Sequence, residues 1–362
     1  MSYKHLAIQV GAFALAGILV YLALRGAELP EIVEALRAAN YGWLIPLLIV
    51  TILGHVLRAW RWKILLEALP RHASNIDRTQ VPLKTTFYAT MIGYMINYAV
   101  PRLGEVVRSA DVAAHEELSF AAVFGTVVVE RILDALVLVL GLMISFYLLF
   151  DQLGVIQKYF IDPILIGLNQ GSLSLMVGVI FGITFSIAFI YWTACRPQDA
   201  RLRRYWNDRL RPIWRAFRDG LATVLRSPRR LALVFSTIAM WFTYFLLTYL
   251  PLLMFDVAGT YDVSPPDAMT LLFLGAIGIA IPTPGGVGSF HYITRQALVY
   301  LFIVDESVAV TYAFFVHGWQ MIVCIIVGCL CLIMQRSSLS LAFSRARNAR
   351  EEPGTGASKP GA

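Results

Sequence analysis

The stretch Ile281-Pro-Thr-Pro-Gly-Gly-Val-Gly-Ser-Phe290 decides how this chain folds, because it interrupts a long apolar region. Two prolines and three glycines do not continue a helix, so the backbone must turn here. The flanks, Leu271–Ala280 and Ile293–Val304, are too apolar for an ordinary surface loop. A broken backbone is tolerated at membrane depth only where protein or a water-filled cavity covers it. We therefore expect the rest of the chain to be arranged around this break.

The composition is that of a helical membrane protein. Hydrophobic residues make up 58% of the 362 residues and charged residues 15%, whereas soluble domains carry about 25% charged residues. The net charge of +7 is concentrated in a few connections, which indicates a basic cytoplasmic face rather than a nucleic-acid site. The sequence shows no P-loop, dinucleotide fingerprint, hydrolase triad, zinc spacing or disulfide framework. We therefore expect no catalytic residue, metal or cofactor.

Spanning helices are predicted wherever about 20 apolar residues run together. Six stretches qualify clearly: Leu6–Leu24, Gly42–Trp60, Phe120–Phe150, Leu173–Ala194, Leu231–Phe255 and Val308–Met334. Two further regions, Thr85–Leu103 and Ala268–Val304, are apolar but interrupted. Basic and non-basic connections alternate along the chain, and the richest, Cys195–Arg230, has eleven arginines. The positive-inside rule then places both termini and the basic loops in the cytoplasm.

This alternation holds only if each interrupted region returns to the side from which it enters. We therefore predict an all-α polytopic membrane protein with about six spanning helices and two re-entrant helical hairpins, or seven or eight helices by hydropathy count. A single membrane domain would cover residues 1–335, in inverted half-repeats of about 5–150 and 172–335, a design known from secondary transporters. The tail, residues 336–362, is predicted to be cytoplasmic and disordered.

Polar and charged residues surround the break of the first hairpin. They are Asn97, Pro101, Arg102, Glu105 and Arg108. Arginine suits a phosphate because its planar fork donates two hydrogen bonds, and Glu105 could pair with Arg102 or with a substrate amine. Alternatively, Arg102 and Arg108 are interface residues whose side chains reach lipid headgroups.

Two other predicted spanning helices carry charge. Glu130 and Arg131 fall about ten residues into theirs, where charge is costly and normally faces the interior of a bundle. Asp134 follows Arg131 at i+3, so a self-neutralised pair within the helix is the alternative. Arg58 and Arg61 share one face of the second helix, where they either bind headgroups or anchor the cytoplasmic end of the helix.

The candidate binding groups of the second hairpin are backbone N–H groups rather than charged side chains. Its candidate residues are Pro282, Pro284, Gly285, Gly286 and Gly288. Glycine N–H groups at the start of the following helix suit an anion, although the glycines could merely allow the two half-helices to cross closely. His317, in the last spanning stretch, is either functional or a hydrogen-bonded packing residue.

The basic loop, residues 195–230, has apolar residues at helical spacing and arginines between them. We expect an amphipathic segment that lies on the inner leaflet and contacts anionic headgroups. Nucleic acid is a poor alternative partner, because the apolar face needs a lipid or a protein.

Four stretches, taken together and in this order, are typical of one protein family: Arg58-Ala-Trp-Arg-Trp-Lys63, Gly93-Tyr94 through Pro101-Arg-Leu-Gly-Glu-Val-Val-Arg108, Val129-Glu-Arg-Ile-Leu-Asp134 and Pro282-Thr-Pro-Gly-Gly-Val-Gly-Ser289. Together they resemble the lysylphosphatidylglycerol synthase transmembrane (flippase-like) family, over roughly residues 5–335. In bifunctional members this region is thought to move aminoacylated phosphatidylglycerol between leaflets, while a separate soluble domain makes that lipid. No such domain is expected here, so the resemblance implies a lipid-handling transporter without synthase activity.

The sequence leaves two main hypotheses. The first is an inner (plasma) membrane translocase for a phosphate-bearing lipid, a phospholipid or a polyprenyl phosphate, whose two hairpins meet near the midplane. Its transport would be passive or ion-coupled, with Glu105 and Glu130 as candidate proton carriers. The second is a non-transporting subunit that docks a lipid-modifying enzyme or a glycosyltransferase through the basic loop. An intramembrane transferase ranks third, and a homodimer or a partner enzyme is left open.

Overall fold

The computed structural model describes residues 3–69, 80–100, 102–149, 229–281 and 283–335, and within these ranges all regular structure is helical. The longer helices are α1 Tyr3–Leu24, α2 Leu29–Ala38, α3 Leu44–Glu67, α4 Leu83–Ala99, α5 Leu103–His115, α6 Phe120–Leu148, α7 Arg230–Met254, α8 Pro265–Ala280, α9 Ser289–Leu301 and α10 Glu306–Met334. Two single-turn 3₁₀ helices, Tyr41–Trp43 and Pro284–Gly286, and the short helix Val257–Thr260 lie between them.

Several of these helices suit a bilayer. In the described ranges, Tyr41–Glu67, α7 and α10 are long and apolar enough to cross a membrane, and α1 with α2, bent by 80°, adds a fourth span if the pair is one broken helix. Large apolar side chains on their outer faces are exposed, as contact with lipid tails requires. The chain is therefore a polytopic all-α membrane protein, as predicted. The predicted span Leu173–Ala194, the basic loop up to residue 228 and the tail 336–362 lie outside the described residues.

Both interrupted regions form helical hairpins. In the first, α4 and α5 approach so closely that a Cβ atom on Gly104 would lie 1.9 Å from the carbonyl oxygen of Gly93. The Gly104 N–H donates to Asn97 Oδ1 at 2.7 Å across the turn. In the second, Ser289 Oγ of α9 donates to the carbonyl oxygen of Gly278 in α8 at 2.6 Å. Both predicted helical hairpins are present, while their re-entry into a membrane and the face from which each one enters stay predictions.

The two helix breaks lie against each other. Tyr98, near the end of α4, packs on Gly285, where a Cβ atom would lie 2.5 Å from Tyr98 Cδ1. Gly285 has a φ of 59°, which glycine adopts without strain. The hairpins therefore meet, as the sequence predicts, although their depth in a membrane stays a prediction. Pro101 and Pro282, at the centres of the two breaks, lie outside the described residues.

Candidate functional site

A buried group of charged side chains, here called the ionic cluster, lies where α3, α5 and α6 meet. Its members are Arg58, Arg61, Arg108, Glu130 and Asp134. Glu130 has no exposed surface, accepts a hydrogen bond from Arg108 Nη2 at 2.7 Å and lies 3.6 Å from Arg61 Nη2. An isolated charge is very unfavourable in an apolar interior, so these groups depend on one another.

Asp134 joins α6 to α3. Its Oδ2 accepts from Arg58 Nη2 at 2.5 Å and its Oδ1 from Arg61 Nη1 at 2.7 Å. Arg58 and Arg61 are spaced i,i+3, and Glu130 and Asp134 are spaced i,i+4, so each pair shares one helix face. A positive stripe on α3 therefore faces a negative stripe on α6.

Aromatic side chains frame the ionic cluster. The guanidinium of Arg108 lies over the ring of Trp62, 4.4 Å from its centroid, and that of Arg58 lies 5.6 Å from the Tyr94 centroid. Arg58 Nη1 also donates to the hydroxyl of Tyr244 on α7 at 3.0 Å. Aromatic faces attract cations, so these contacts orient the guanidinium groups and offset part of their desolvation.

Glu105 and Arg131 form a second, more exposed ion pair, here called the rim pair. Arg131 Nη2 donates to Glu105 Oε1 at 2.8 Å, and the side chains are 44% and 19% exposed, respectively. Asn97 Nδ2 donates to the other carboxylate oxygen of Glu105 at 3.3 Å. The rim pair therefore links the first hairpin to α6 beside the ionic cluster.

Two pairings that the sequence left open are not formed. Glu105 binds Arg131 rather than Arg102, and Arg102 is exposed, with a φ of 62°, and forms no ion pair with any residue in the described ranges. The self-neutralised Arg131–Asp134 pair does not form, because Asp134 faces the two guanidinium groups of α3 instead. Arg108 is not an interface residue, because it is buried against Glu130.

The ionic cluster and the rim pair together contain more positive than negative groups, four arginines against three carboxylates. Within the described part of the chain, Arg58 Nε, Arg61 Nε and Arg108 Nη1 have no hydrogen-bond partner, and neither has Glu130 Oε1. Buried donors are normally paired, so spare N–H groups with surplus positive charge suit an added anion. Side-chain exposure falls from Arg131 to Arg58 to Arg61, so the rim pair is the side from which an anion would arrive.

The carboxylates are poorly placed to carry protons. Glu105 and Glu130 each accept a hydrogen bond from an arginine, at 2.8 Å and 2.7 Å. An adjacent positive charge stabilises the ionised carboxylate. The geometry therefore does not favour the hypothesis that either residue is a proton carrier.

Backbone N–H groups of the second break already donate hydrogen bonds within the protein. Gly286 N donates to the Thr283 carbonyl at 3.2 Å, and Gly288 N donates to His291 Nδ1 at 3.1 Å. A Cβ atom on Gly288 would lie 2.5 Å from the carbonyl oxygen of Ala16 in α1. These contacts favour close packing over anion binding as the reason for the glycines.

Most of the residues predicted for a site thus fall in two places, although the exposed Arg102 belongs to neither. The ionic cluster and the rim pair include Arg58, Arg61, Glu105, Arg108, Glu130 and Arg131, and Asn97 hydrogen-bonds to Glu105 of the rim pair. The meeting point of the breaks includes Pro284, Gly285, Gly286, Gly288 and His317. Asp134 and Tyr244 were not among the predicted site residues. Asp134 could have been found from its spacing to Glu130, but nothing distinguishes Tyr244 from the other aromatic residues of α7.

The rim pair allows a first prediction. We expect a double-mutant cycle with Arg131→Gln and Glu105→Gln to give a coupling free energy of about 0.5–1 kcal/mol, because the pair is partly exposed. Unfolding of the purified protein in mixed micelles of increasing denaturing-detergent fraction measures it. Arg102→Gln, an exposed arginine without a described ion-pair partner, should show no coupling to Glu105→Gln. Zero coupling for the rim pair would contradict the contact.

A known family of membrane proteins matches most of the chain. The family described as lysylphosphatidylglycerol synthase TM region matches residues 9–328, which include the ionic cluster and both hairpins. No curated protein and no solved structure matches the chain significantly. The resemblance noted in the sequence is therefore confirmed, and the chain belongs to the lysylphosphatidylglycerol synthase TM region family.

Proposed function

We propose that this chain is a translocase, not an enzyme, that moves a phosphate-bearing lipid between the leaflets of the inner (plasma) membrane. The lipid is of the phospholipid or polyprenyl-phosphate class. The observation that carries the proposal is the ionic cluster, in which three buried arginines with spare N–H groups face only two carboxylates. A guanidinium fork matches phosphate oxygens in geometry and charge. Membership of a lipid-related membrane family supports the same class of ligand.

The exposure of the arginines suggests the route of the headgroup. The phosphate would first meet Arg131, the most exposed arginine of the two groups, and compete there with Glu105. The arginines of the ionic cluster would then stabilise it within the bundle. The acyl chains would stay against the exposed apolar faces of the helices, because that contact does not require desolvation of polar groups. Both termini would be cytoplasmic, with the hairpins entering from opposite faces.

Reconstitution tests the proposal directly. Vesicles with and without the protein would carry, in separate samples, a fluorescent phosphatidylglycerol, a fluorescent polyprenyl phosphate or a fluorescent glycosyl diacylglycerol that lacks phosphate. We expect the protein to speed transbilayer movement of at least one phosphate-bearing lipid, but not of the phosphate-free lipid. Rates that are the same with and without the protein for every lipid would exclude the proposal.

The exposed arginine of the rim pair gives the matching variant. We expect Arg131→Gln to slow lipid movement about tenfold, because one charge-assisted hydrogen bond to phosphate is lost. Arg37→Gln on α2 removes the same charge from an exposed residue outside the ionic cluster and should leave the rate unchanged. If both variants moved lipid at equal rates, Arg131 would have no specific part in the movement of the headgroup.

A further inference from the structure

Two histidines lie side by side where the helix breaks meet. The rings of His291 on α9 and His317 on α10 have centroids 4.8 Å apart, and the residues are 4% and 7% exposed. His291 stacks on Phe314 with centroids 4.1 Å apart, and His317 lies 5.4 Å from the ring of Phe290. This histidine pair lies in aromatic surroundings and has no part in the ionic cluster.

One hydrogen bond fixes the state of His291. Because Gly288 N–H donates to its Nδ1 at 3.1 Å, that nitrogen carries a lone pair and the neutral ring carries its proton on Nε2. A second proton can only bind at Nδ1, which then becomes a donor. Protonation of His291 and the hydrogen bond from Gly288 therefore exclude each other.

His317 connects this hydrogen bond to the other hairpin. Its Nε2 is buried and has no hydrogen-bond partner among the described residues. Its ring meets Tyr98 edge-on with centroids 6.2 Å apart, and a Cβ atom on Gly286 would lie 3.6 Å from its Cε1. Tyr98 in turn packs on Gly285. His317 therefore contacts both breaks.

Among the described residues, no charged side chain interacts with the pair. In the described ranges, the titratable group that faces His291 is His317 on α10. His317 contacts Tyr98 on α4, and Tyr98 in turn lies near Cys324 on α10 and Tyr94 on α4. From α1, the main chain of Ala16 approaches Gly288. A positive charge in such a place needs water, so charging the pair requires the packed breaks to separate.

We propose that the His291–His317 pair is a proton-binding site that controls the contact between the two helix breaks. The closed contact holds a neutral pair and the Gly288 hydrogen bond. Proton uptake at His291 Nδ1 removes the acceptor of Gly288, so the turn formed by residues 285–288 loosens against Tyr98 and α1. The pair thereby couples pH to the junction of the hairpins, whether or not a lipid is moved.

Hydrogen exchange tests this inference without any transport assay. The protein in lipid nanodiscs would be labelled at about pH 8 and about pH 5, with rates in the segment 283–292 corrected for intrinsic exchange. We expect the open form to be about 30-fold more populated at the lower pH, because an exposed imidazole takes up a proton near pH 6.5 whereas the closed contact excludes it. The sign follows from linkage, since acid favours the form that binds the proton.

Two variants test whether His291 is responsible for the pH response. His291→Asn retains an oxygen acceptor for Gly288 but takes up no proton, so its segment 283–292 should lose the pH response. His115→Asn is the matched control, because His115 lies on α5, hydrogen-bonded to the Asp111 carbonyl and away from the pair, and it should keep the full response. An undiminished response in His291→Asn, or no response in the wild type, overturns the proposal.

Nuclear magnetic resonance of nitrogen-labelled histidine provides a measurement that needs no variant. We expect the His291 signal to show the Nε2–H tautomer at about pH 8 and a doubly protonated ring on acidification. A neutral tautomer that persists until the protein unfolds would overturn the proposal independently of how the variants fold.

Discussion

Replacing Glu130 with glutamine is expected to lower the free energy of unfolding by about 3–5 kcal/mol. Glu130 is fully buried and lies between Arg108 and Arg61. Glutamine retains the shape of the side chain but removes its charge. Asp134 would then be the remaining carboxylate of the ionic cluster, and Arg108 would lose the carboxylate that it contacts there. An uncompensated buried charge is strongly destabilising.

Unfolding in mixed micelles of increasing denaturing-detergent fraction measures this loss. Glu105→Gln is the matched control, because it makes the same chemical change in the partly exposed rim pair and should cost less than about 1 kcal/mol. The double variant Glu130→Gln, Arg108→Gln should regain part of the stability, because it removes a charge of each sign. Equal midpoints for Glu130→Gln and the wild type would show that the contacts of Glu130 contribute nothing net to stability.

The members of the ionic cluster could be predicted better than their pairing. Charges within apolar helices are conspicuous in a sequence, so Arg58, Arg61 and Glu130 stand out. Their partners depend on how each helix is rotated, and that rotation is set by apolar packing between segments far apart in the chain. For this reason the simplest pairing that the sequence suggests for Asp134 is with Arg131, three residues away on the same helix. In the structure Asp134 binds α3 instead.

Backbone features also differ in how well the sequence predicts them. The hairpins could be predicted because prolines, glycines and the alternation of charged connections are local features of the sequence. Helix α2 is not predicted, because its segment lies between two predicted spans and contains charged residues typical of a connection. Its signals were Pro30 in the first turn and apolar residues such as Ile32 and Leu36 at i,i+4 spacing. The contact of Tyr98 with Gly285 joins residues from opposite halves of the chain, and no local pattern specifies it.

Gly104→Ala is expected to destabilise the protein by about 3 kcal/mol or more, since overpacking against backbone has no easy relief. The added methyl group would lie 1.9 Å from the Gly93 carbonyl oxygen and 2.7 Å from Asn97 Oδ1. The carbonyl belongs to α4 and cannot rotate away, so α4 and α5 must move apart. Gly125→Ala on α6 is the matched control, because a Cβ atom there meets nothing within 4 Å. It should be neutral or stabilising by about 0.5–1 kcal/mol.

The consequences of Gly104→Ala should extend beyond the helix contact. Gly104 N–H donates to Asn97 Oδ1, and the amide nitrogen of Asn97 donates to Glu105, so separating the helices removes a support of the rim pair. We therefore expect Gly104→Ala also to reduce the coupling between Glu105 and Arg131, measured by the same double-mutant cycle. A variant as stable as Gly125→Ala, with full rim-pair coupling, would mean that α4 and α5 are not in backbone contact. Loss of stability together with loss of coupling would show that the close approach of the first hairpin positions the charged groups proposed to meet the lipid.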